Sequence, residues 1–309
     1  MSEGGRGPNG PVSGDVPRIV GVGTVALDTA ETPAGQAREV AGGSALYFAA
    51  AVSRWTPVSV VGVTGDDFPD EVLAELGRRG VDVTGVARFP HPTFRWHARY
   101  DAEGRREILS VHRGGIVSER PRVPEGLRDP HLLFLGSTDP DVQASVLVGA
   151  GRPTLVMLDT MLHWIRDRRD ALEGLLPRVD VLLANEDEVA LLGDADDEGR
   201  AAAALLRRGP TWVVVKRGGR GACAYAVGQR LEVPAAAVAR VVDPTGAGDA
   251  FAGGMASVLA TVPASKGEAS REAGVRAVNE HVMGRGLERG VAMGALAVSA
   301  FSFDALLER

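Results

Sequence analysis

Short apolar runs alternate with longer helical stretches along most of the chain. Runs rich in Val, Ile and Leu, each predicted to be a buried strand, cover residues 18–24, 57–63, 131–135, 154–159, 179–184 and 211–216. Apolar residues recur at helical spacing in residues 44–55 and 69–79, and the second stretch ends at Gly80. This alternation predicts a mostly parallel sheet with helices on both faces.

One segment departs from this pattern. Residues 93–100 alternate polar and apolar positions, residues 101–105 have the composition of a turn, and a second β-like run follows at 106–112. Period-two alternation on both sides of a turn predicts a β-hairpin over residues 92–113. A hairpin does not fit inside a parallel sheet, so it forms either a small separate sheet or an antiparallel edge of the main one.

Composition and charge exclude several classes of protein. The 309-residue chain has a formal net charge of −6, which is not the basic surface that nucleic acids or acidic membranes attract. No apolar run approaches the roughly 18 residues of a membrane span. Residues 1–17 hold Gly, Pro and Ser with almost no apolar content, which predicts a disordered tail and not a signal peptide. The single cysteine, Cys223, excludes an internal disulfide, favours a reducing cytoplasm, and is predicted to be buried in a strand over 222–227.

The most informative chemistry lies in residues 242–254, which read VDPTGAGDAFAGG. A β-branched run at 238–242 is predicted to be a strand that leads, through a turn of small residues, into a helix over residues 249–261. Small residues at a helix start let the backbone approach a phosphate, and free N–H groups point at it. An acid repels a phosphate, so Asp249 is explained if it faces a hydroxyl that attacks phosphorus. We therefore predict a phosphotransferase; the alternative role of Asp249 is that of a helix cap.

Five segments resemble, in order, the signatures of the ribokinase (PfkB) family of small-molecule kinases. They are residues 42–45 (GGSA), 62–68 (GVTGDDF), 185–188 (NEDE), 215–222 (VKRGGRGA) and 243–249 (DPTGAGD). The resemblance covers about residues 18–300 and implies an α/β fold: a ribokinase-like three-layer α/β/α sandwich with a mostly parallel central sheet and a small β lid. It implies one kinase domain over residues 18–309, with the lid formed by about residues 30–41 and 92–113. Because the stretch from Asp28 to Gly42 is short, we expect the first half of the lid to be reduced.

The resemblance also assigns the catalytic step. It implies that the N–H groups of Gly246, Ala247 and Gly248 form an anion hole for the γ-phosphate of ATP, and that Asp249 accepts the proton of the attacking hydroxyl. A helix N-terminus is expected to lower the pKa of Asp249 and to make it a weak base. No Gly-x-x-x-x-Gly-Lys-Ser/Thr sequence occurs, which disfavours a P-loop fold.

On the nucleotide side, the resemblance implies that Asn185 and Glu188 order Mg²⁺ through water and touch the phosphates. The same pair fits a capping box at a helix start, and both roles can hold together. The other nucleotide contacts that the resemblance implies are Lys216, Gly218, Gly221 and Thr245. Many family members bind a monovalent cation such as K⁺ beside the anion hole, but residues 300–304 (AFSFD) lack the glycine of that site, which leaves K⁺ dependence open.

On the acceptor side, the resemblance implies that Asp28 hydrogen-bonds to the hydroxyls of the acceptor; the alternative is a role in a turn or cap. The full set of implied acceptor contacts is Asp28, Gly42, Gly43, Ser44, Tyr47 and Asp159. Tyr47 stands near the position where ribose-using members carry an asparagine, which weakens ribose itself as the substrate. Four aromatic residues could stack on a ring or base, or pack under the lid: Phe94, Trp96, Tyr100 and Trp164.

These inferences predict a cytoplasmic kinase that uses ATP and Mg²⁺ to phosphorylate an alcohol of a sugar or cyclitol. A nucleoside kinase of the same family is the alternative among enzymes. A non-catalytic ligand sensor with the same fold is the alternative from a different class. Neither nucleic acid nor a membrane is an expected partner, and a homodimer through the lid is left open.

Overall fold

The computed structural model describes residues 18–114, 119–263 and 268–308. The predicted tail, residues 1–17, lies outside the described residues. Within them, the strands are β1 (Ile19–Val22), β2 (Ala26–Thr32), β3 (Gly35–Gly42), β4 (Val58–Gly65), β5 (Val81–Phe89), β6 (Phe94–Tyr100), β7 (Arg106–His112), β8 (Leu132–Leu135), β9 (Leu155–Asp159), β10 (Val181–Asn185), β11 (Trp212–Lys216), β12 (Ala222–Ala226) and β13 (Gln229–Val233). The helices are α1 (Ser44–Val52), α2 (Asp70–Arg78), α3 (Pro140–Gly149), α4 (Leu162–Asp167), α5 (Arg169–Glu173), α6 (Glu186–Gly193), α7 (Glu198–Leu206), α8 (Ala247–Leu259), α9 (Glu268–Ala277), α10 (Glu280–Ala297) and α11 (Asp304–Leu307).

The larger sheet has nine strands in the order β13-β12-β11-β10-β9-β8-β1-β4-β5. Every neighbouring pair from β11 to β5 is parallel, and β12 and β13 extend that sheet with antiparallel pairs. The six strands predicted from apolar runs are all present, with ends within about two residues of the predictions. The prediction of a mostly parallel sheet is therefore confirmed.

Helices cover both faces of this sheet, because successive strand residues point to opposite sides. Leu183 and Val214 belong to one buried cluster, which includes residues of α1, α8 and α10. Their chain neighbours Leu182 and Val213 belong to a second cluster, on the opposite face, which includes residues of α3, α6 and α7. The predicted three-layer α/β/α architecture is thus confirmed. Cys223 is a buried free cysteine in β12, as predicted.

The predicted hairpin over residues 92–113 forms as β6 and β7. It belongs to a separate four-stranded sheet in the order β3-β2-β6-β7, so it is not an edge of the large sheet. The expectation of a reduced first half was wrong. A tight turn joins β2 to β3, so residues 26–42 are enough for two paired strands.

The predicted strand at residues 238–242 was also wrong. This segment is not in a strand, and the side chain of Val241 is 54% exposed. Its main-chain bonds near the turn are isolated: Val242 N donates to Val298 O at 2.7 Å, and Thr32 Oγ1 donates to Val242 O at 2.7 Å. β-branched residues favour a strand only where a neighbouring strand can pair with them. The helix that follows spans residues 247–259 instead of the predicted 249–261.

None of the described helices is both long enough and apolar enough to cross a membrane.

Candidate active site

The predicted site residues gather where the parallel strands end and α8 begins. Asp159, Asn185 and Lys216 are the last residues of β9, β10 and β11. The carboxyl end of a parallel sheet is where ligands of such folds bind. The four-stranded sheet approaches the same place, because the hydroxyl of Tyr100 lies 3.2 Å from that of Thr245 in the turn before α8.

The turn before α8 depends on glycine. Gly246 has a φ of 72°, and a Cβ on it would overlap the ring of Tyr47. Asp243 holds the turn by accepting a hydrogen bond from Thr245 N at 2.9 Å. No side chain of the described residues caps α8, so Asp249, which lies in the first turn of the helix, is not its cap.

The predicted anion hole has one donor already engaged. Ala247 N donates to Pro244 O at 3.3 Å, a long turn bond. Gly246 and Gly248 therefore remain the backbone donors for an anion in this conformation. Gly248 lies in the first turn of α8, where the helix dipole also favours negative charge.

The expectation of a lowered pKa at Asp249 was wrong. The pKa of this carboxyl is raised to about 7, chiefly by burial and next by the nearby charge of Asp159, and Lys216 only partly offsets the rise. Asp28 and Glu188 also act in the raising direction. Desolvation among like charges outweighs the helix N-terminus here. A carboxylate with a pKa near 7 is well suited to act as a general base at neutral pH.

Lys216 and Asp159 form a buried ion pair. Lys216 Nζ lies 2.8 Å from Asp159 Oδ1 and 2.6 Å from Oδ2. The side chain of Asp159 is 4% exposed and that of Lys216 is 17% exposed. Asp159 was predicted to contact the acceptor, but its carboxylate is bound to the lysine predicted for the nucleotide. The sequence did not indicate that these two residues would meet.

Asn185 and Glu188 form the capping box that their spacing allows. Asn185 Oδ1 accepts from Glu188 N at 2.9 Å, and Glu188 Oε2 accepts from Asn185 N at 2.8 Å. Burial raises the pKa of Glu188 to about 7, and Lys216 partly offsets that rise. The pair therefore begins α6 at the carboxyl end of β10, on the side of the site where Lys216 lies.

The loop after Lys216 follows its predicted glycines. Gly218 and Gly221 have φ values of 54° and 91°, and residues 218–220 form one short 3₁₀ turn. A Cβ on Gly221 would overlap the backbone of Val233 and Pro234, whereas the space around Gly218 is open. Gly221 is required by packing, and Gly218 leaves a free surface at the end of β11.

Asp28 and the double glycine, both predicted on the acceptor side, contact each other. Asp28 Oδ2 accepts from Gly43 N at 3.2 Å, and a Cβ on Gly42 would overlap that carboxylate. Burial raises the pKa of Asp28 to about 7, partly offset by the Gly43 hydrogen bond, with Asp243 adding to the rise. Gly43, with a φ of 94°, precedes α1.

Two residues predicted on the acceptor side serve the scaffold instead. Ser44 Oγ accepts from Thr24 N at 3.0 Å, and Ser44 N donates to Thr24 Oγ1 at 3.0 Å, so its polar groups join α1 to the end of β1. Tyr47 is fully buried, with its ring behind Gly246 and edge-on to Phe303 at 5.7 Å. Tyr47 therefore packs against the turn before α8 and supports it.

The inner face of the four-stranded sheet carries aromatic residues. Trp96 and Tyr100 lie on the same face of β6, with ring centroids 6.4 Å apart. Asp28 is the partner of Trp96 in the neighbouring strand, so the two side chains leave the sheet on the same face. Trp164 lies elsewhere, on α4, with its ring 4.7 Å from that of His163.

Arg106 is a candidate site residue that no sequence motif indicated. Its guanidinium lies 5.8 Å from the ring centroid of Trp96, and its partner in β6 is Tyr100. Burial raises the pKa values of Glu188 and Tyr100, and the charge of Arg106 partly offsets both rises. Arg106 thus brings a cation from the small sheet toward the nucleotide side. The cross-strand position opposite Tyr100 was the one available signal for it.

The segment at residues 300–304 contains a left-handed backbone conformation of the kind that favours glycine, although it has no glycine. Ser302 has a φ of 57°, and its hydroxyl donates to Ala41 O at 2.5 Å.

No group of three or more His, Cys, Asp or Glu side chains in the described ranges could hold a metal ion. A divalent cation at this site would therefore need ligands beyond the side chains of the described residues.

The chain is similar in sequence and fold to several known kinases. A family profile described as pfkB family carbohydrate kinase matches residues 148–301. A cytidine kinase of Thermococcus kodakarensis is 31% identical over 243 residues, which are 76% of this chain and 86% of that relative. Among solved structures, a putative ribokinase II of E. coli in complex with ATP and Mg²⁺ aligns with a TM-score of 0.71 and 23% identity, covering 95% of this chain and 96% of that one. A nucleoside kinase of Burkholderia thailandensis in complex with inosine aligns with a TM-score of 0.72 and 19% identity, covering 92% of each chain.

Proposed function

The chain belongs to the pfkB family of carbohydrate kinases and is a phosphotransferase; from this premise we propose that it transfers the γ-phosphoryl group of ATP to a hydroxyl of a nucleoside. One observation carries the catalytic part of the proposal. The carboxyl of Asp249 and the ammonium of Lys216, both half-buried, lie together beside the backbone donors of the turn before α8. A base, a cation and N–H groups at one point are the parts that phosphoryl transfer to an alcohol requires.

The proposed reaction is a single displacement at phosphorus. The acceptor oxygen forms a bond to the γ-phosphorus as the bond to the β–γ bridging oxygen breaks, and ADP leaves with that electron pair. The proton of the acceptor hydroxyl passes to the carboxylate of Asp249. Because the transition state is largely dissociative, orienting the hydroxyl matters more than early proton removal. Gly246 and Gly248 donate to the charge on the phosphoryl oxygens.

Mg²⁺ fits this site only when it binds together with the nucleotide. The described residues offer no cage of three acidic ligands, and Mg²⁺ usually keeps several waters and binds through few carboxylates. Glu188 is the carboxylate that would reach it through water, while Asn185 and Glu188 together fix the start of α6. The cation would neutralise charge on the β- and γ-phosphates.

The acceptor class is argued from the small sheet. Asp28 and Trp96 are neighbours in register on one face of that sheet. A carboxylate can accept hydrogen bonds from ribose hydroxyls, and an indole offers a surface on which a base can stack. A relative that is 31% identical over 76% of this chain is a cytidine kinase. These observations lead us to place a nucleoside ahead of the sugar or cyclitol that the sequence favoured.

A free sugar or cyclitol is the second candidate. The guanidinium of Arg106 lies over the ring of Trp96, so part of the indole face that would receive a base is already covered. A small polyol would use Asp28 alone and leave that stack intact. In either case the four-stranded sheet acts as a lid, which excludes water from the transferring phosphoryl group.

Both candidates are separated by one assay. ADP release from Mg-ATP is measured with cytidine, other nucleosides, hexoses, pentoses and cyclitols, in wild type and in Asp249→Asn. Stimulation by a nucleoside that Asp249→Asn abolishes supports the proposal. Stimulation by a sugar or cyclitol alone favours the second candidate. Nucleotide binding without stimulation by any acceptor in the panel counts against both.

The lid sheet supplies a second discriminating variant. Trp96→Leu keeps apolar bulk but removes the stacking surface. A nucleoside acceptor should lose affinity by about tenfold or more, since stacking on one aromatic ring contributes roughly 1–3 kcal/mol. Unchanged acceptor KM in this variant would remove the argument for a base at Trp96.

A further inference from the structure

Lys216 reaches across the carboxyl end of the large sheet to a carboxylate two strands away. Lys216 ends β11 opposite Asn185 of β10, and Asp159 ends β9 on the far side of β10. Both carboxylate oxygens of Asp159 accept from the ammonium, at 2.8 and 2.6 Å. Burying two charges is costly unless they pair, so this pairing fixes where the lysine side chain can lie.

The position of the ammonium is beside the anion hole. Lys216 Nζ is 3.1 Å from the point that a Cβ on Gly248 would occupy. An ammonium has three N–H donors, and Asp159 takes two of them. Within the described part of the chain no other hydrogen-bond acceptor engages Lys216. The third N–H is therefore available next to the backbone donor of Gly248.

The charges around Lys216 explain why a positively charged donor is needed at this position. Asp159 and Glu188 are buried and Asp249 is half-buried around one ammonium, and the loss of solvent raises the pKa of each carboxyl. Burial lowers the pKa of Lys216, but the facing carboxylates outweigh it and leave the pKa raised. The ammonium is thus held charged in a place that would otherwise repel a phosphate.

We infer that Asp159 is a positioning residue, which holds the ammonium of Lys216 at the anion hole so that its third N–H binds an oxygen of the transferring γ-phosphoryl group. The inference rests on the proposed kinase function. It gives Asp159 a role through Lys216 and not as a ligand of the acceptor. Two backbone donors and one charged donor then surround the phosphoryl group, with Asp249 on the side of the acceptor.

A double-mutant cycle tests this directly. Lys216→Met should lower kcat by about 100- to 1000-fold, the usual loss for one donor to a transition-state anion. Asp159→Asn should lower kcat in the wild-type background, but change it by less than about twofold in the Lys216→Met background, because its partner is already gone. An equal loss in both backgrounds would overturn the inference. So would a raised acceptor KM with unchanged kcat in Asp159→Asn.

Nucleotide binding tests the same inference without turnover. By calorimetry with Mg²⁺ present, Lys216→Met and Asp159→Asn should each weaken ATP by about tenfold or more, as expected for loss of a charge-assisted hydrogen bond. ADP, which lacks the γ-phosphoryl group, should change little. Equal weakening of both nucleotides would overturn the inference even if no acceptor is found for the wild-type protein. Absence of acceptor-stimulated turnover together with selective loss of ATP would instead reject only the proposed function.

Arg217→Met is the matched control. The guanidinium of this neighbouring arginine is paired with Glu198 and Glu232, on the side away from Asp159. It should leave kcat and the ATP-to-ADP affinity ratio unchanged. Thermal unfolding followed by circular dichroism confirms that each variant is folded.

Discussion

The hydroxyl of Tyr100 lies 3.2 Å from the hydroxyl of Thr245, and this contact joins the four-stranded sheet to the turn before α8. Tyr100 ends β6, and Thr245 immediately precedes Gly246. Burial raises the pKa of Tyr100 to about 12, so the hydroxyl stays protonated across the working pH range. The position of the four-stranded sheet, the proposed lid, is thereby coupled to the geometry of the turn.

Tyr100→Phe should loosen that coupling. A net loss of about 1 kcal/mol in stability is expected for one hydrogen bond. The larger effect should be on function: a several-fold higher acceptor KM, and faster ADP release without acceptor, because a looser lid admits water. Steady-state kinetics with and without acceptor measure both.

Tyr225→Phe is the control for this substitution. Tyr225 lies on β12 of the large sheet, and its hydroxyl donates to Glu198 Oε1 at 2.7 Å. It should show a comparable loss of stability with unchanged kinetics. If the two variants behave alike, Tyr100 is only a structural contact.

Asp249→Asn should make the protein more stable at alkaline pH while it abolishes activity. The folded-state pKa of Asp249 is raised from 3.8 to about 7. The folded state therefore binds more protons than the unfolded state between these values, and wild-type stability falls as pH rises through about 7. At 1.36 kcal/mol per pKa unit, the penalty above pH 7 is at most about 4 kcal/mol. Asn carries no charge, so the Asp249→Asn variant does not have this penalty.

Thermal unfolding of both proteins without nucleotide, at pH 5 and pH 8.5, measures this difference. Asp249→Asn should unfold several degrees higher than wild type at pH 8.5, and the gap should narrow at pH 5, where Asp249 is already neutral in the folded state. A gap that is independent of pH would show that the carboxylate is not destabilised by its surroundings. In the active enzyme, the acceptor-dependent rate should fall as pH drops below about 7, because the base becomes protonated.

Gly246→Ala should be severely destabilising. Its φ of 72° is in the left-handed region, and the added Cβ would overlap the ring of Tyr47, which is buried and has no room to move. We expect a loss of about 2–4 kcal/mol and at least a tenfold lower kcat. Gly284→Ala, in α10, meets no atom within 4 Å and should stabilise the helix by about 0.5–1 kcal/mol. Equal effects at the two glycines would contradict this account of the turn.

The sequence predicted the parts of the site that depend on local pattern. The glycines at 218, 221 and 246 occupy turns that only they fit well, and the spacing of Asn185 and Glu188 produced the capping box. The apolar runs located the six strands because a strand buried on both faces has a continuous apolar sequence. Each of these signals lies within a few residues of the feature that it predicts.

Contacts between distant segments escaped prediction. Lys216 meets Asp159 across β10, a pairing set by strand order and not by any motif. Tyr47 occupies a position of a known motif, but packing against Gly246 decides where its ring lies. The pKa of Asp249 depends on how many carboxylates the fold buries together, and one helix terminus could not reveal that.

Arg106→Ala should weaken the nucleotide more than the acceptor. The guanidinium extends from the first residue of β7 over Trp96, and its charge opposes the burial-raised pKa of Glu188 on the nucleotide side. Within the described residues it forms no ion pair with a carboxylate, so its charge is available to a phosphate. We expect a several-fold higher KM for ATP. The increase should become smaller as salt is added, since this side chain is exposed and its charge is screened.

Arg105→Ala is the control. It removes the neighbouring cation, which is paired with Asp101 and Glu103 in the exposed turn, and should leave the KM for ATP unchanged. An equal rise in the KM for ATP in both variants would mean that the total charge of the proposed lid attracts the nucleotide. A rise only in the KM for the acceptor would place Arg106 over the acceptor instead.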